Sequence, residues 1–463
     1  MGSTGQAPGA TEVIAAFVAR PRPASPNAAA FARTLVDTAA VAIAGVSTDV
    51  TELLLGWVDD EEASGPATVW GTGRALSPSQ AALVNGTAAH VLDWDDAVPK
   101  IPFHPGAVMV PALVAQLAVM QASGERLAAA YDVGSAVSRA VSEVLPIGYH
   151  YGRGWHNTST TGRLAATAAV AHLVGLDVEQ VRHALGIVAS MVSGSLSNFG
   201  TMTKSLHAGM AARDAVMAVS LARRGFTANT TMLEDRRGFF AMYGDKDAPD
   251  AASLLATLEE RLERWERDWV EDWAIKRYPS CYATHRAIDG ALELREKIDD
   301  PAQVVGITVS QPFAPTSPLL SHLPTTGLEG KFSLEYTVAR AVASGRVELA
   351  DFTDERVADP VVQRLIGLLR VDNRHDEIVS AGGGHTTVTV DLADGSELRA
   401  DVEVTYGDAR RPLDDAQVTE KFTSALTAVG WKAEEATALA AQLWATPSAP
   451  SLGWLQDALR VRS

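Results

Sequence analysis

Apolar residues recur at helical spacing along most of the first 270 residues, and short polar breaks separate the periodic segments. In one segment Ser77 and Ser79 offer N-caps and Pro78 suits the first turn, which predicts a helix over 77–93. The uncharged stretch 101–124 contains prolines and glutamines, which favours a buried helix beginning near Pro105 over a membrane span. Further helices are predicted over residues 11–19, 28–44, 51–58, 111–122, 127–144, 160–174, 178–191, 206–223 and 251–266.

After about residue 270 the pattern changes to short alternating runs. Residues 304–310 are rich in β-branched side chains, and 385–392 and 397–404 alternate around an Ala-Asp-Gly turn, which predicts a β-hairpin. Helices are predicted over 333–343 and 353–369, and residues 414–460 return to helical spacing.

These elements predict a mainly α fold with two domains. Residues 11–269 together with 410–463 would form a large, discontinuous helical domain, and residues 270–409 a smaller α+β lid domain. Residues 1–10 are rich in Gly, Ser and Pro, and we expect them to be a disordered tail.

Composition excludes several classes of protein. The net charge of −17 argues against nucleic acid or an anionic membrane as a partner. One cysteine, Cys281, excludes an internal disulfide, and the N-terminus lacks the features of a signal peptide, so a cytoplasmic location is expected. The sequence has no P-loop, HExxH, paired CxxC or GxSxG motif. We therefore predict no cofactor and no bound metal, and chemistry that depends on the protein's own acids and bases.

The first candidate cluster follows the helix predicted over 77–93. It contains Asp93, Asp95 and Asp96, and then Lys100 and His104. Carboxylates this close repel one another, which can raise a pKa and leave a general acid or base near neutrality. A solvated acidic helix end is the alternative interpretation.

Two further clusters lie in apolar surroundings. His156 precedes a run of hydroxyl side chains that includes Thr158 and Ser159, and a helix start of this kind either holds a carboxylate or is simply N-capped. Lys204 ends a segment with no charged residue from 183 to 203, and His207 lies three positions later. A buried lysine is costly without an anion or a catalytic role, although a lysine that reaches water would avoid that cost.

The fourth cluster, Lys276, Arg277 and Tyr278, lies at the predicted domain junction, where ligand clefts are common. Its positive groups would face an anionic substrate, and a basic pair on the surface is the alternative. Together the four clusters favour binding of a small polycarboxylate and transfer of a proton at the carbon next to a carboxylate.

In this order the clusters resemble the MmgE/PrpD family, which includes dehydratases, decarboxylases and epimerases of small polycarboxylates. The resemblance implies a helical domain, an α+β lid, a cleft between them and a homodimer. It also implies catalytic roles for Asp93, His104, His156, Lys204 and Lys276. The matching stretches are 85–96, His104-Pro105-Gly106, Gly154-Trp155-His156, 204–209, Tyr278-Pro279-Ser280-Cys281 and 331–336.

We therefore predict a cofactor-independent lyase, a dehydratase or decarboxylase, that acts on a small di- or tricarboxylate. His104 with Asp93 would be the general base or acid, and His156 would hydrogen-bond the substrate or donate a proton. Lys204 and Lys276 would bind carboxylates and stabilise the carbanion. The predicted substrate-binding residues are Lys100, Thr158, Ser159, His207, Arg277 and Tyr278.

One position departs from the resemblance. Ala97 stands where the dehydratase and decarboxylase branches carry Thr, and the loop before His104 is longer, as in the epimerase branch. Two alternatives therefore stay open. One is an epimerase or isomerase of a dicarboxylate such as iminodisuccinate, and the other is a protein that binds a carboxylate without catalysis.

Overall fold

A computed structural model describes residues 8–145, 147–245, 256–314, 317–378 and 384–460. Most of the predicted tail, residues 1–7, and the first part of the predicted helix 251–266, residues 251–255, lie outside the described residues. Ala10 was assigned to the tail, but it begins the first helix and is buried. Its methyl group joins the core cluster that contains Ile14 and Phe17, which explains why it is ordered.

The predicted mainly α fold is confirmed, since helices predominate and the sheets are small. Residues 8–268 contain a short antiparallel ribbon, β1 (Ala67–Thr68) with β2 (Ala75–Leu76), and a succession of helices. The helices are α1 (Ala10–Ala19), α2 (Ala28–Gly45), α3 (Asp49–Asp60), α4 (Pro78–Val91), α5 (Pro105–Gln116), α6 (Gly124–Val144), α7 (Ile147–Gly152), α8 (Asn157–Val174), α9 (Val178–Ala189), α10 (Met202–Arg223), α11 (Phe239–Tyr243) and α12 (Leu258–Asp268).

Helix α5 begins at Pro105, as the composition of 101–124 predicted, and it is buried along its length. The separate prediction over 111–122 was wrong, because Pro111 lies inside this helix and the helix ends at Gln116. Among the described residues, α2 alone has the length and hydropathy of a membrane span, and most of it is buried in the protein core. Such burial is typical of a core helix.

The smaller domain has its own apolar core around a four-stranded sheet. The strand order is β4-β3-β5-β6, in which β3 pairs with β4 in parallel and the other pairs are antiparallel. Its elements are α13 (His285–Arg295), β3 (Val304–Phe313), α14 (Gly327–Gly330), α15 (Leu334–Ser344), α16 (Asp354–Val357), α17 (Pro360–Leu368), β4 (Leu369–Ile378), β5 (Thr386–Leu392) and β6 (Glu397–Val402). The predicted hairpin is confirmed, with Val388 opposite Ala400.

The predicted helix 353–369 was wrong in two respects. It breaks at Asp359, whose side chain accepts a hydrogen bond from Val361 N, and Pro360 then starts a new helix. Leu369 begins strand β4, which the sequence pattern did not predict.

The chain then returns to the large domain through α18 (Asp415–Ala428), α19 (Ala433–Trp444) and α20 (Leu455–Ala458). Helix α18 packs against α2, and Phe422 and Leu426 belong to the same apolar core as Leu35. The two ends of the chain therefore complete one core.

Helices α4 and α10 approach closely where two glycines meet. A Cβ atom on Gly86 would lie 2.9 Å from the Cα atom of Gly209, and one on Gly209 would collide with the carbonyl oxygen of Leu83 and the hydroxyl of Thr87. Because neither glycine has a side chain, the C-terminal end of α4 lies beside the first turns of α10. The polar residues of both helices are thereby brought together.

We expect the substitution Gly209→Ala to lower the free energy of unfolding by about 1–3 kcal/mol, because the new methyl group would push the two helices apart. Urea denaturation measures the change. The matched control is Gly56→Ala in α3, where a Cβ atom would meet nothing within 4 Å. Equal stabilities of the two variants would contradict the importance of this close crossing.

Candidate active site

Asp93 follows the C-terminal end of α4 in a left-handed conformation, with a φ of 52°. This conformation is uncommon for a residue other than glycine and costs conformational energy. Its Oδ1 atom accepts a hydrogen bond from Lys204 Nζ at 2.5 Å and lies 3.2 Å from Lys276 Nζ. Burial favours a raised pKa, but the two ammonium groups hold the pKa of Asp93 well below its usual range. Asp93 is therefore ionised.

Asp95 orients two histidines. Its Oδ2 atom lies 2.7 Å from His90 Nδ1 and 3.3 Å from His104 Nδ1, and His104 Nδ1 also lies 2.9 Å from the carbonyl oxygen of Asp96. A carboxylate and a carbonyl only accept hydrogen bonds, so the Nδ1 atom of each ring carries the proton. The Nε2 atoms of both histidines are therefore the basic ones.

Burial lowers the pKa of both rings, to about 3 for His90, although the Asp95 carboxylate acts in the opposite direction. Both histidines are therefore neutral near pH 7. His104 is partly exposed, whereas the Nε2 atom of His90 is buried and has no hydrogen-bond partner among the described residues. His104 is thus the base that a substrate can reach.

The same three side chains, His90, Asp95 and His104, have candidate metal-ligand atoms within 4.8 Å of one another. Their geometry fits hydrogen bonding better than metal ligation, because the two Nδ1 atoms already donate to oxygen atoms. The positive charge of Lys204, which acts on His90, would also oppose a divalent cation here.

His156 and His207 form a second pair of histidines. Their Nδ1 atoms lie 3.1 Å apart, so only one proton can lie between them. Burial lowers the pKa of His156 well below its usual range, and it lowers that of His207 to about 4, with Arg163 and Lys204 adding to the effect on His207. The ring centroid of His90 lies 4.6 Å from that of His104 and 5.9 Å from that of His156. The neutral imidazoles of His104, His90, His156 and His207 therefore form a continuous row.

The row of neutral histidines predicts that the free energy of unfolding depends on pH. His207 stays neutral in the folded protein down to about pH 4, but in the unfolded chain it takes up a proton near its ordinary pKa of 6.5. The unfolded state binds more protons between these values, so the free energy of unfolding falls as the pH drops through this range. We expect the substitution His207→Gln to reduce the slope of the free energy of unfolding against pH by up to about 1.4 kcal/mol per pH unit.

Urea denaturation of the wild-type protein and the His207→Gln variant at several pH values between about 7 and about 4 measures the slope. The substitution His322→Gln, at a side chain that is 60% exposed, serves as the control. A slope unchanged by His207→Gln would show that His207 is not held neutral by the fold.

The site opens into a cleft whose empty space, including its open mouth, is about 510 Å³. Both domains line it. The large domain contributes the polar side chains, and the smaller domain contributes Pro318, Phe332 and residues 281–283. Lys204 Nζ lies 5.6 Å from the ring centroid of Phe199 and 5.4 Å from that of Phe332, which keeps the ammonium group at the cleft wall.

The structure brings the predicted catalytic residues together. Asp93, His104, His156 and Lys204 line the cleft, and Lys276 lies behind them with its Nζ atom 2.8 Å from the carbonyl oxygen of Asp93. The carboxylate beside His104 is that of Asp95, however, and the predicted pairing of His104 with Asp93 was wrong. The left-handed backbone at Asp93 explains the difference, because it directs this carboxylate to the lysines instead.

The sequence suggested a raised pKa within the cluster of Asp93, Asp95 and Asp96, and Asp96 is the residue that shows it. Burial, followed by the charges of Asp37 and Asp95, raises its pKa well above the usual range. Its carboxylate does not line the cleft, because it accepts hydrogen bonds at 2.8 Å from Gly106 N and from Trp273 Nε1. Asp96 therefore satisfies the N-terminal end of α5.

The predicted hydroxyl residues lie behind the cleft. The Thr158 hydroxyl accepts a hydrogen bond from His104 N at 3.2 Å, and the Ser159 hydroxyl accepts one from Arg163 at 2.7 Å. Both residues belong to the first turn of α8, which begins after His156. They hold neighbouring side chains and backbone in place, and His207 does the same for His156.

The remaining predicted substrate-binding residues lie outside the cleft. Lys100 is 71% exposed and forms an ion pair with Asp272 at 2.6 Å. Arg277 and Tyr278 line a different cavity in which the Tyr278 hydroxyl donates to Asp289 at 2.5 Å. The guanidinium carbon of Arg277 lies 5.5 Å from the ring centroid of Tyr278 and 4.7 Å from that of Tyr406, which holds Arg277 away from the site.

The predicted site omits three buried residues that lie next to it, namely His90, Asp95 and Lys331. His90 lies inside a predicted helix and Asp95 was one of three similar carboxylates, so the sequence did not single out either residue. Lys331 is buried, and burial lowers its pKa to about 7. The available signal for Lys331 was a lysine directly before a predicted helix in a stretch that resembled the family.

Fold and site define a mainly α, two-domain protein whose buried histidines, lysines and aspartates converge on one interdomain cleft, an arrangement suited to acid–base chemistry on an anion. Residues 12–252 match the MmgE/PrpD N-terminal domain, and residues 278–446 match the MmgE/PrpD C-terminal domain. The chain belongs to the MmgE/PrpD family.

Several similar proteins are named cis-aconitate decarboxylase. Cis-aconitate decarboxylase from Homo sapiens is 26% identical over 402 residues, which cover 84% of this chain and 81% of that protein. The enzyme of the same name from Mus musculus is 27% identical over 410 residues, covering 84% and 80%. The one from Aspergillus terreus is 24% identical over 392 residues, covering 78% and 77%.

Proposed function

We propose that this protein is a lyase that removes carbon dioxide or water from a small di- or tricarboxylate through proton transfer at a carbon next to a carboxylate. The observation that supports this most is that neutral His104 and His156 line the same cleft as Lys204 and ionised Asp93. The names of the similar proteins support the lyase class and make cis-aconitate the first substrate to test.

Charge in the cleft supports an anionic substrate. Lys204 and Lys276 share the single carboxylate of Asp93, and Asp95 is already occupied by two histidines. The pair of lysines therefore has positive charge left over for a bound carboxylate. In a cleft with little water such charge also stabilises a carbanion or enolate as it forms.

Proton transfer is assigned to His104 and Lys204, and neutral His156 hydrogen-bonds the substrate. For loss of water, His104 Nε2 takes the proton from carbon, the electron pair forms the double bond, and the hydroxyl group leaves with a proton from the Lys204 ammonium group. For loss of carbon dioxide, the bond to the leaving carboxylate breaks. Its electron pair stays on the carbon skeleton, and the Lys204 ammonium group delivers a proton to carbon.

The proposal also includes a homodimer, a cytoplasmic location and catalysis without a cofactor or metal ion. Resemblance to the family supports the dimer, and the single cysteine supports a reducing compartment. The proton-transfer groups in the cleft support catalysis by the protein alone.

Incubation of the purified protein in D2O with cis-aconitate, 2-methylcitrate or iminodisuccinate, followed by NMR, tests the reaction. Loss of carbon dioxide or water, with deuterium at the reacting carbon where a proton is added, supports the proposal. Exchange of the proton next to a carboxylate with inversion supports an epimerase instead, which Ala97 favours because it lines the cleft without a hydroxyl group. Binding without conversion would reduce the protein to a carboxylate binder.

A further inference from the structure

Three buried lysines donate hydrogen bonds to three consecutive backbone carbonyl oxygens directly after α4. All three side chains belong to residues that are at most 7% exposed. The pairs are Lys331 Nζ with Leu92 O at 2.7 Å, Lys276 Nζ with Asp93 O at 2.8 Å, and Lys421 Nζ with Trp94 O at 2.6 Å. We call these three side chains the lysine clamp.

The lysine clamp gathers three separate parts of the chain. Lys276 lies at the junction of the domains, Lys331 lies in the smaller domain, and Lys421 lies on α18. Two of the ammonium groups also reach a second carbonyl oxygen, that of Pro279 at 3.1 Å for Lys331 and that of Lys276 at 3.0 Å for Lys421. The clamp therefore links the loop after α4 to both domains.

The three carbonyl groups belong to the C-cap residue of α4 and the two residues after it, next to the negative end of the helix dipole, where cations are stabilising. Water or one surface lysine normally meets this need at lower cost, because a buried ammonium group is expensive to desolvate. Lys421 is paired with Asp37 at 2.6 Å, but Lys331 has no carboxylate partner among the described residues and instead faces the ring of Phe352 at 4.6 Å. Charge neutralisation alone does not explain its burial.

The segment that the clamp holds is the strained one. Asp93 is one of only two residues other than glycine with a positive φ among the described residues. Its carboxylate meets Lys204 and Lys276 only because the backbone turns there. Conformations of this kind persist where the surrounding structure holds them.

We propose that Lys331 and Lys421 are positioning residues which, together with Lys276, hold Asp93 in its left-handed conformation and thereby place its carboxylate at the cleft. The effect on turnover rests on the proposed function, whereas the effect on the backbone does not.

The double variant Asp37→Asn with Lys421→Met tests this proposal. It removes both charges of a buried pair, so no unpaired charge is left, but it also removes the donor to the carbonyl of Trp94. We expect the far-ultraviolet circular dichroism to be unchanged. Amide hydrogen exchange of peptides that contain residues 92–97 should increase at least about tenfold. The kcat value should fall at least about tenfold, and KM should change less than about threefold.

The single variant Asp37→Asn is the matched control: it leaves Lys421 without its carboxylate partner but retains the Lys421 donor, so exchange of residues 92–97 should stay well below that of the double variant. If the double variant has wild-type exchange and kcat, Lys421 only neutralises Asp37 and the proposal is overturned. Exchange requires no substrate, so it decides the positioning role even if none of the tested carboxylates is turned over.

Lys331→Met is the second test and leaves no partner carboxylate unpaired. It should increase exchange in the same peptides, whereas Lys331→Arg should restore part of the protection because guanidinium can still donate to the carbonyl of Leu92. Wild-type exchange in Lys331→Met would overturn the role of Lys331. Equal exchange in the Met and Arg variants would likewise show that a donor at this position does not hold the loop.

Discussion

The substitution His104→Gln should lower kcat at least about a hundredfold, the usual contribution of a general acid or base. The amide group of Gln can still donate a hydrogen bond to the carbonyl of Asp96, so the loop keeps its partner. It cannot take a proton from carbon or give one to it. Steady-state kinetics with the substrate found by NMR, together with deuterium incorporation at the reacting carbon, measures the loss.

His322→Gln serves as the control for this change, because that side chain is 60% exposed on the smaller domain and lies outside the cleft. It should leave kcat and KM unchanged. If His104→Gln keeps more than about a tenth of wild-type turnover, a different group moves the proton. His156 would then be the next histidine to examine, since it lines the same cleft.

The substitution Lys204→Met should lower kcat about a hundred- to a thousandfold, because it removes a cation that stabilises negative charge as it develops on the substrate. Methionine retains most of the apolar stem of lysine, so its packing between Phe199 and Phe332 is preserved. Asp93 keeps Lys276 as a partner, at 3.2 Å. We therefore expect the fold to survive, with some loss of thermal stability.

The control for Lys204 is Lys297→Met, at a lysine whose side chain is 54% exposed on the smaller domain. A raised KM with unchanged kcat in Lys204→Met would show that Lys204 binds the substrate without favouring the transition state. Such a result would assign stabilisation of the carbanion to a different cation. Unchanged kinetics would remove Lys204 from the mechanism altogether.

Helical periodicity predicted most of the large domain, because helices that bury one or more faces carry a strong repeat of apolar residues. Strand β4 escaped prediction for the opposite reason. Its residues, among them Arg370, Asp372 and Arg374, are largely charged, and an edge strand with one neighbour needs few apolar side chains. The break before Pro360 was visible as an Asp-Pro pair, and in this case local chemistry prevailed over the longer apolar repeat.

The polar residues of the site could be found in the sequence, because each interrupts an apolar region and is costly to bury without a partner. The interaction partners of these residues could not be found in the sequence. Asp93 and Asp95 are two residues apart, and only the left-handed turn decides that one meets lysines and the other histidines. The direction of Lys100 likewise depends on Asp272, a partner far along the chain.

Helix α18 comes from the last tenth of the chain, yet it packs on α2 near the beginning and brings Lys421 to the loop after α4. The ribosome synthesises a chain from its N-terminus to its C-terminus. The large domain therefore cannot complete its core until these final helices have emerged. The face of α2 that awaits α18 would meanwhile be exposed to other nascent chains. We therefore expect chaperones that shield that face until translation ends to raise the yield of folded protein in cells.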